Sequence, residues 1–166
     1  MSKWKIRKYL PSDRKACRDL WVELVEQHRQ LYQDPSIGGA NPEDYFDQHL
    51  AQIGAENLWI ASFGLRTIGF MGIEVDGDEV EIEPLIVSQP YRSKGVGKML
   101  VQAAIAEAHK IGARKISVKP VARNIEAIKF FFNQGFRNIG HIQLFISFQR
   151  QQWKEGLNLF DLQFSF

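Results

Sequence analysis

The chain has 166 residues, 45% of them hydrophobic and 24% charged. That is the balance of one ordinary globular domain spanning 1–166, and it excludes a disordered or fibrous chain. Its 21 Lys and Arg against 19 Asp and Glu leave a formal charge of +2, too little to argue for a nucleic-acid partner. The single cysteine, Cys17, permits no internal disulfide and suits a reducing, cytoplasmic setting. Met1 to Leu10 lacks an apolar signal core and no run approaches 18 apolar residues, so neither a signal peptide nor a membrane partner is expected.

Lys3, Lys5 and Arg7 alternate with Trp4 and Ile6, which predicts a strand with one wet face. Leu10-Pro11-Ser12-Asp13 then punctuates the chain. Ser12 is the expected N-cap of a long helix with the apolar stripe Cys17, Leu20, Trp21, Leu24 and Val25, running to about Tyr32. Asp34 to Pro42, with two prolines and Gly38-Gly39, reads as a loop. Pro42 opens a second helix that carries Tyr45, Phe46, Leu50 and Ile53 and closes at Gly54. Leu58 to Ser62 and Thr67 to Val75 are β-rich runs joined through Gly64, and Asp76-Gly77 is a tight turn into Glu79 to Val87. From Val96 the apolar period becomes 3.6, through Leu100, Ala103, Ala104, Ala108 and Ile111 to a stop at Gly112. Lys115 to Val121 is again a strand, Asn124 to Asn133 a short helix, and Phe136 to Phe148 and Leu157 to Phe164 two closing Phe-rich strands. The order βα-α-βββ-α-β-α-ββ describes an α/β domain with a mixed sheet, antiparallel first and with one parallel crossover.

Leu85 to Met99, LIVSQPYRSKGVGKM, runs from a strand through a glycine loop into a helix. Glycines let backbone N–H groups approach a ligand closely, and a helix start adds unsatisfied donors and about half a positive charge. An anion such as phosphate is the natural guest. A P-loop would need glycine where Arg92 stands and Ser or Thr where Met99 stands, and a dinucleotide fingerprint would need glycine at Leu100.

Tyr91-Arg92-Ser93-Lys94-Gly95-Val96-Gly97 after Val87 resembles the acetyl-CoA signature of the GNAT N-acetyltransferases. The resemblance extends to Asn124, Ala127 and Gly135-Phe136 downstream and to the element order upstream. It implies the GNAT fold: a mixed, mostly antiparallel sheet of six to seven strands, splayed at a central parallel pair, with about four helices. It also implies acetyl-CoA as co-substrate, held along Leu85, Ile86 and Val87. Its pyrophosphate would rest on the loop Arg92, Ser93, Lys94, Gly95, Val96 and Gly97, with Arg92, Lys94 or Lys98 adding charge. Asn124, Ala127 and Phe131 complete the implied cofactor-binding set.

Alternation in Val80-Glu81-Ile82-Glu83-Pro84-Leu85 puts Glu81 and Glu83 on one face, shared with Leu85 and Val87. Counted back from the loop, Glu81 falls where the histone-modifying branch of the family carries its general base. Two like charges on one face raise each other's pKa, so Glu81 and Glu83 are the expected catalytic pair, or else a solvated strand face. Acid clusters from Glu74 to Glu83, while Arg92 to Arg123 is basic except for Glu107. The first stretch suits a cationic amine and the second a polyphosphate.

Phe131 stands where the family commonly has a tyrosine that protonates the departing thiolate. A phenol from Tyr32 or Tyr45, or a water, is the alternative donor. Cys17 reads as core, and His28, His49, His109 and His141 lack paired ligand spacing, so no metal is expected. The resulting expectation is direct acetyl transfer to an amine acceptor, with a non-catalytic acyl-CoA sensor as the alternative. Acceptor contacts are expected from Asp34 to Pro42 and from Gln149 to Gly156. The aromatic C-terminal strand points to a homodimer.

Overall fold

The computed structural model describes residues 4–148 and 152–166. Its chain forms two units, one ending at Lys119 and the other beginning at Pro120. The first unit is built on five strands, β1 (Lys5–Lys8), β2 (Leu58–Phe63), β3 (Arg66–Asp76), β4 (Glu79–Val87) and β5 (Lys115–Val118), lying side by side in chain order. The first four pair antiparallel and β5 pairs parallel to β4. A parallel neighbour requires a crossover, and α3 (Val96–Lys110) supplies it. Two helices, α1 (Arg14–Tyr32) and α2 (Asp44–Ile53), precede β2. The mixed, antiparallel-first sheet with one crossover is therefore the expected one.

The hairpin turns are short. Phe63 pairs with Arg66 across Gly64-Leu65, and Asp76 with Glu79 across Gly77-Asp78, one residue later than expected. Gly77 takes φ +58°, the left-handed conformation such a turn demands. Leu58, Ile60, Phe70 and Ile86 project from one sheet face onto Cys17, Leu20 and Phe46, and Trp21 stacks on Phe70 at 6.3 Å. Phe46 and Phe70 are fully buried, each contributing about 2–3 kcal/mol of apolar transfer. Met71, Ile73, Val80 and Ile82 alternate onto the opposite face, where α3 buries Val96, Leu100, Val101, Ala104 and Ala108 at helical spacing.

Ser12 does not cap α1. A 3-10 turn over Pro11–Asp13 leads into the helix, and Asp13, 4% exposed, does the tying. Its carboxylate accepts from Arg7 through both oxygens at 2.7 and 2.8 Å, from the Leu10 N–H at 2.9 Å and from Thr67 Oγ1 at 2.8 Å. The three tie β1, the turn and β3 to one carboxylate. Burial by itself would raise the Asp13 pKa; the hydrogen bonds from Arg7, Leu10 and Thr67 and the Arg7 charge outweigh it and hold it below the ordinary carboxylate value. Because the native state keeps the ionised form, this stabilisation is fully present above the unfolded pKa and fades as pH falls through the depressed one. Asp13→Ala should cost about 2–3 kcal/mol in urea denaturation, below the full penalty for a buried pair because Arg7 stays partly exposed. Between pH 4 and 2 the gap between variant and parent should narrow.

In the second unit α4 (Ile125–Asn133) opens at Asn124, whose side-chain oxygen accepts from the Ala127 N–H at 3.1 Å. The strand expected over Phe136 to Phe148 is not formed: residues 137–148 carry no regular structure and make no ladder. The single strand expected over Leu157 to Phe164 is instead a hairpin, β6 (Glu155–Leu159) and β7 (Leu162–Ser165). Its turn is Phe160-Asp161, both at positive φ of 55° and 61°. A phenylalanine rarely occupies that conformation, so no glycine or asparagine marks the reversal and the apolar alternation reads straight through it. Of the seven expected strands, five form the sheet, one is not formed and one is split into the separate hairpin.

Candidate active site

Parallel pairing between β4 and β5 runs from Glu79–Lys115 to Ile82–Val118 and stops there. β5 ends at Val118, three residues short of the expected end, while β4 continues to Val87. Among the described residues, the β4 edge from Glu83 to Val87 has no strand on that side. This is the splay that the resemblance implied, and it leaves backbone groups of Leu85 and Val87 available to an extended ligand, while those of Ile86 turn to Phe70 of β3.

Beyond Val87 the chain turns sharply. The Ser88 N–H donates to the Ile68 carbonyl at 2.9 Å, a 3-10 turn follows over Gln89–Tyr91, and Arg92 Nε donates back to the Val87 carbonyl at 2.8 Å. Ser93 and Gly95 take positive φ of 57° and 86°, and Gly95 is the N-cap of α3 with no side chain capping the helix. The first-turn N–H groups of Val96, Gly97 and Lys98 therefore lack an intrahelical partner and carry the positive end of the helix dipole. Lys94 and Lys98 are exposed beside them. Arg92, expected as a charge for phosphate, also acts as a brace for the loop.

The carboxylates lie differently from the expectation in one respect. Met71 pairs with Leu85 and Ile73 with Ile82, so Glu83 and Pro84 together oppose Gly72. That β-bulge reverses the alternation. Glu81 and Glu83 share a face with Ile86, on the side of α1 and α2, whereas Leu85 and Val87 turn to the other face. Glu74 lies directly opposite Glu81 and accepts from Gln52 of α2 at 2.6 Å. The bulge is close-packed: a Cβ at Gly72 would stand 2.5 Å from the Glu83 carbonyl oxygen and 2.9 Å from His49 Nε2. Only glycine fits there.

The two catalytic candidates are electrostatically unequal. Glu81 Oε2 is 2.6 Å from Lys119 Nζ. Among the described residues Glu83 makes no ion pair, and partial burial, then the charges of Glu74 and Glu81, raise its pKa against a smaller lowering by Lys119. His49, 7% exposed, reaches the bulge from α2, and its burial lowers its pKa, so it is neutral near pH 7. Cys17 is fully buried in the core, and burial pushes its thiol up, which removes it as a nucleophile.

Asn124, Ala127 and Phe131 belong to the second unit. Asn124 and Ala127 form the α4 cap, and Phe131 packs edge-on against Phe130 at 5.1 Å and Phe136 at 5.6 Å. Of the two loops expected to meet an acceptor, Asp34 to Pro42 is held by Arg29, whose side chain donates to the carbonyls of Ile37 and Gly39 at 2.9 and 2.8 Å. Gln149 to Gly156 lies partly outside the described residues.

The family model of the acetyltransferase (GNAT) family matches residues 21–136. The chain belongs to that family. The fold agrees with a GNAT acetyltransferase of Staphylococcus aureus, at a TM-score of 0.68 and 20% identity over 89% of this chain and 92% of that one. It agrees also with the PaiA N-acetyltransferase of Thermoplasma acidophilum solved with coenzyme A, at a TM-score of 0.67 and 18% identity over 82% and 91% of the two chains. An L-ornithine N5-acetyltransferase of Arabidopsis thaliana is 35% identical over 54 residues, which are 32% of this chain and 24% of that relative. The matched stretch thus spans about a quarter of that protein's length. No helix of the described residues is long and apolar enough to cross a membrane.

Sequence reasoning missed Lys119 as the partner of Glu81, Glu74 as a third carboxylate on the same face, and His49 beneath the bulge. The expected turn at Asp76-Gly77 would have set Glu74 opposite Glu79, and the observed turn, one residue later, sets it opposite Glu81. The place of His49 was not legible, because it depends on how α2 crosses the sheet.

Proposed function

We propose that this family member transfers an acetyl group from acetyl-CoA directly to a primary amine. The observation that carries this reading is the unpaired edge of β4, which leads through the braced turn to the uncapped start of α3, with carboxylates on the adjoining face. The chain's residues fit the co-substrate: Leu85 and Val87, on either side of Ile86, offer backbone groups to pantetheine, and Arg92 to Lys98 offer N–H groups and charge to the pyrophosphate. Asn124, Ala127 and Phe131 are carried over from the resemblance as further contacts.

Acetyl-CoA supplies the activated acetyl thioester. Glu83 takes a proton from the acceptor ammonium, directly or through water, and the freed amine nitrogen attacks the thioester carbon. The Leu85 N–H, on the unpaired edge just past the bulge, is the donor we assign to the carbonyl oxygen. Breaking the C–S bond releases a thiolate, whose reference pKa near about 8.5 makes it a tolerable leaving group without an acid. Phe131, with no phenol, suits that economy. Glu74 and Glu81 attract the cationic acceptor, and an amine acceptor agrees with the L-ornithine N5-acetyltransferase relative.

The test is incubation with acetyl-CoA and a panel of primary amines, read by thiol release and by a mass gain of one acetyl group on the amine. Tight acetyl-CoA binding with no thiol release across the panel would favour the sensor. A homodimer stays part of this proposal, supported by exposed Phe160 and Leu162 on the C-terminal hairpin. Light scattering that returned the 19.1 kDa chain mass at high concentration would remove it.

A further inference from the structure

Glu23 lies on α1, 65 residues before Ser88, yet its carboxylate grips the first two residues beyond β4. Oε1 accepts from Ser88 Oγ at 3.0 Å and Oε2 from the Gln89 N–H at 3.2 Å. From those residues the chain runs directly into the turn: the Tyr91 N–H donates to the Ser88 carbonyl at 2.9 Å and the Arg92 N–H to the Gln89 carbonyl at 3.2 Å. The anchor point thus sets where the 3-10 turn starts, and the turn sets where Ser93, Gly95 and the α3 N-terminus lie.

Among the described residues, packing on the turn is limited to Tyr91, which meets Trp4 edge-on at 5.7 Å. Behind the turn, between α1 and the β2–β3 hairpin, is an open cleft of about 740 Å³ lined by Glu23, Leu20, Thr67, Ser88, Pro90 and Tyr91. Ser88 is half-buried and Gln89 and Pro90 are exposed. A segment with a cleft on one side and solvent on the other is positioned by its hydrogen bonds. Charge argues the same way. A carboxylate beside an anion-binding turn repels phosphate, so Glu23 is useful there for the two donors that its oxygens hold.

We infer that Glu23 is a positioning residue for the pyrophosphate of the acyl-CoA, holding the β4–α3 turn in its anion-binding shape from the opposite side. The inference rests on the acetyl-CoA reading above. It predicts an effect confined to donors that carry the pyrophosphate, because the pantetheine contacts lie on β4 itself, before the anchor.

The test compares acetyl-CoA with acetyl-pantetheine, which keeps the thioester and lacks the pyrophosphate, in the parent, Glu23→Ala and Glu23→Gln. Glu23→Ala should raise KM for acetyl-CoA about 10- to 30-fold, only part of the worth of two hydrogen bonds to a charged group, because the contacts are partly exposed and water takes up the freed donors. Its kcat should stay within about threefold, and its kcat/KM with acetyl-pantetheine should match the parent. Glu23→Gln should restore most of the loss, because the amide oxygen accepts from the Gln89 N–H while the amide nitrogen donates to Ser88 Oγ. Calorimetry with coenzyme A gives the same contrast without turnover. Equal losses on both donors, an unchanged KM for acetyl-CoA, or no rescue by glutamine overturns the inference. A parent that binds no coenzyme A overturns the acetyl-CoA reading instead.

Discussion

Glu83→Gln is expected to lower kcat by roughly 10² to 10⁴, the usual cost of removing a general base, while leaving coenzyme A affinity within about twofold. A base that acts on an ammonium near neutral pH gains from a raised pKa, and Glu83, though its residue is exposed, has one through partial desolvation and the charges of Glu74 and Glu81. Glu81, 2.6 Å from Lys119, enters mainly through its charge. Glu81→Gln removes a negative neighbour and frees Lys119, and both changes lower the Glu83 pKa. The acidic limb of kcat/KM should therefore move to lower pH, with a smaller loss of kcat. Linkage supplies a control. The native state binds the Glu83 proton more tightly than the unfolded chain does, so ionising Glu83 costs stability as pH rises through the window between the ordinary and the raised pKa. Glu83→Gln should then unfold at the same temperature or higher at pH 7.5, which separates lost chemistry from lost structure. An unaltered kcat for Glu83→Gln, with a collapsed one for Glu81→Gln, would pass the base role to Glu81.

Gly97→Asp is expected to weaken coenzyme A binding by on the order of 100-fold, about 2.7 kcal/mol, through a carboxylate set among the first N–H groups of α3. The same substitution favours the free protein. An acid in a first helical turn stabilises by about 0.3–1 kcal/mol, and replacing glycine inside a helix removes its backbone entropy cost. Thermal unfolding without ligand should therefore hold or rise while calorimetry shows affinity falling. Acetyl-pantetheine should lose little. Undiminished coenzyme A binding would place the pyrophosphate away from Arg92 to Gly97.

The sequence by itself determined most of the framework. Periods of 2 and 3.6 located β1 to β5, α1 to α4 and the crossover, because burial of one face imposes those repeats on the chain locally. Gly95 and Gly97 between a strand and a helix named the anion loop, and its flanking residues named the family. Tertiary structure decided what depends on partners far apart in sequence. The bulge at Glu83-Pro84 put Leu85 and Val87 on the face opposite Glu81 and Glu83, since register is set between strands, and one extra residue flips every side chain after it. The turn at Phe160-Asp161 escaped notice because Phe160 does not advertise positive φ and Asp161, without a glycine beside it, is a weak signal. Lys119 on Glu81, Asp13 under Arg7 and Thr67, and Glu23 on Ser88 and Gln89 were invisible in the sequence for one reason. A charged residue on an amphipathic pattern reads as solvated until a distant element is folded against it, and only then do the distance and the partner assign it a role.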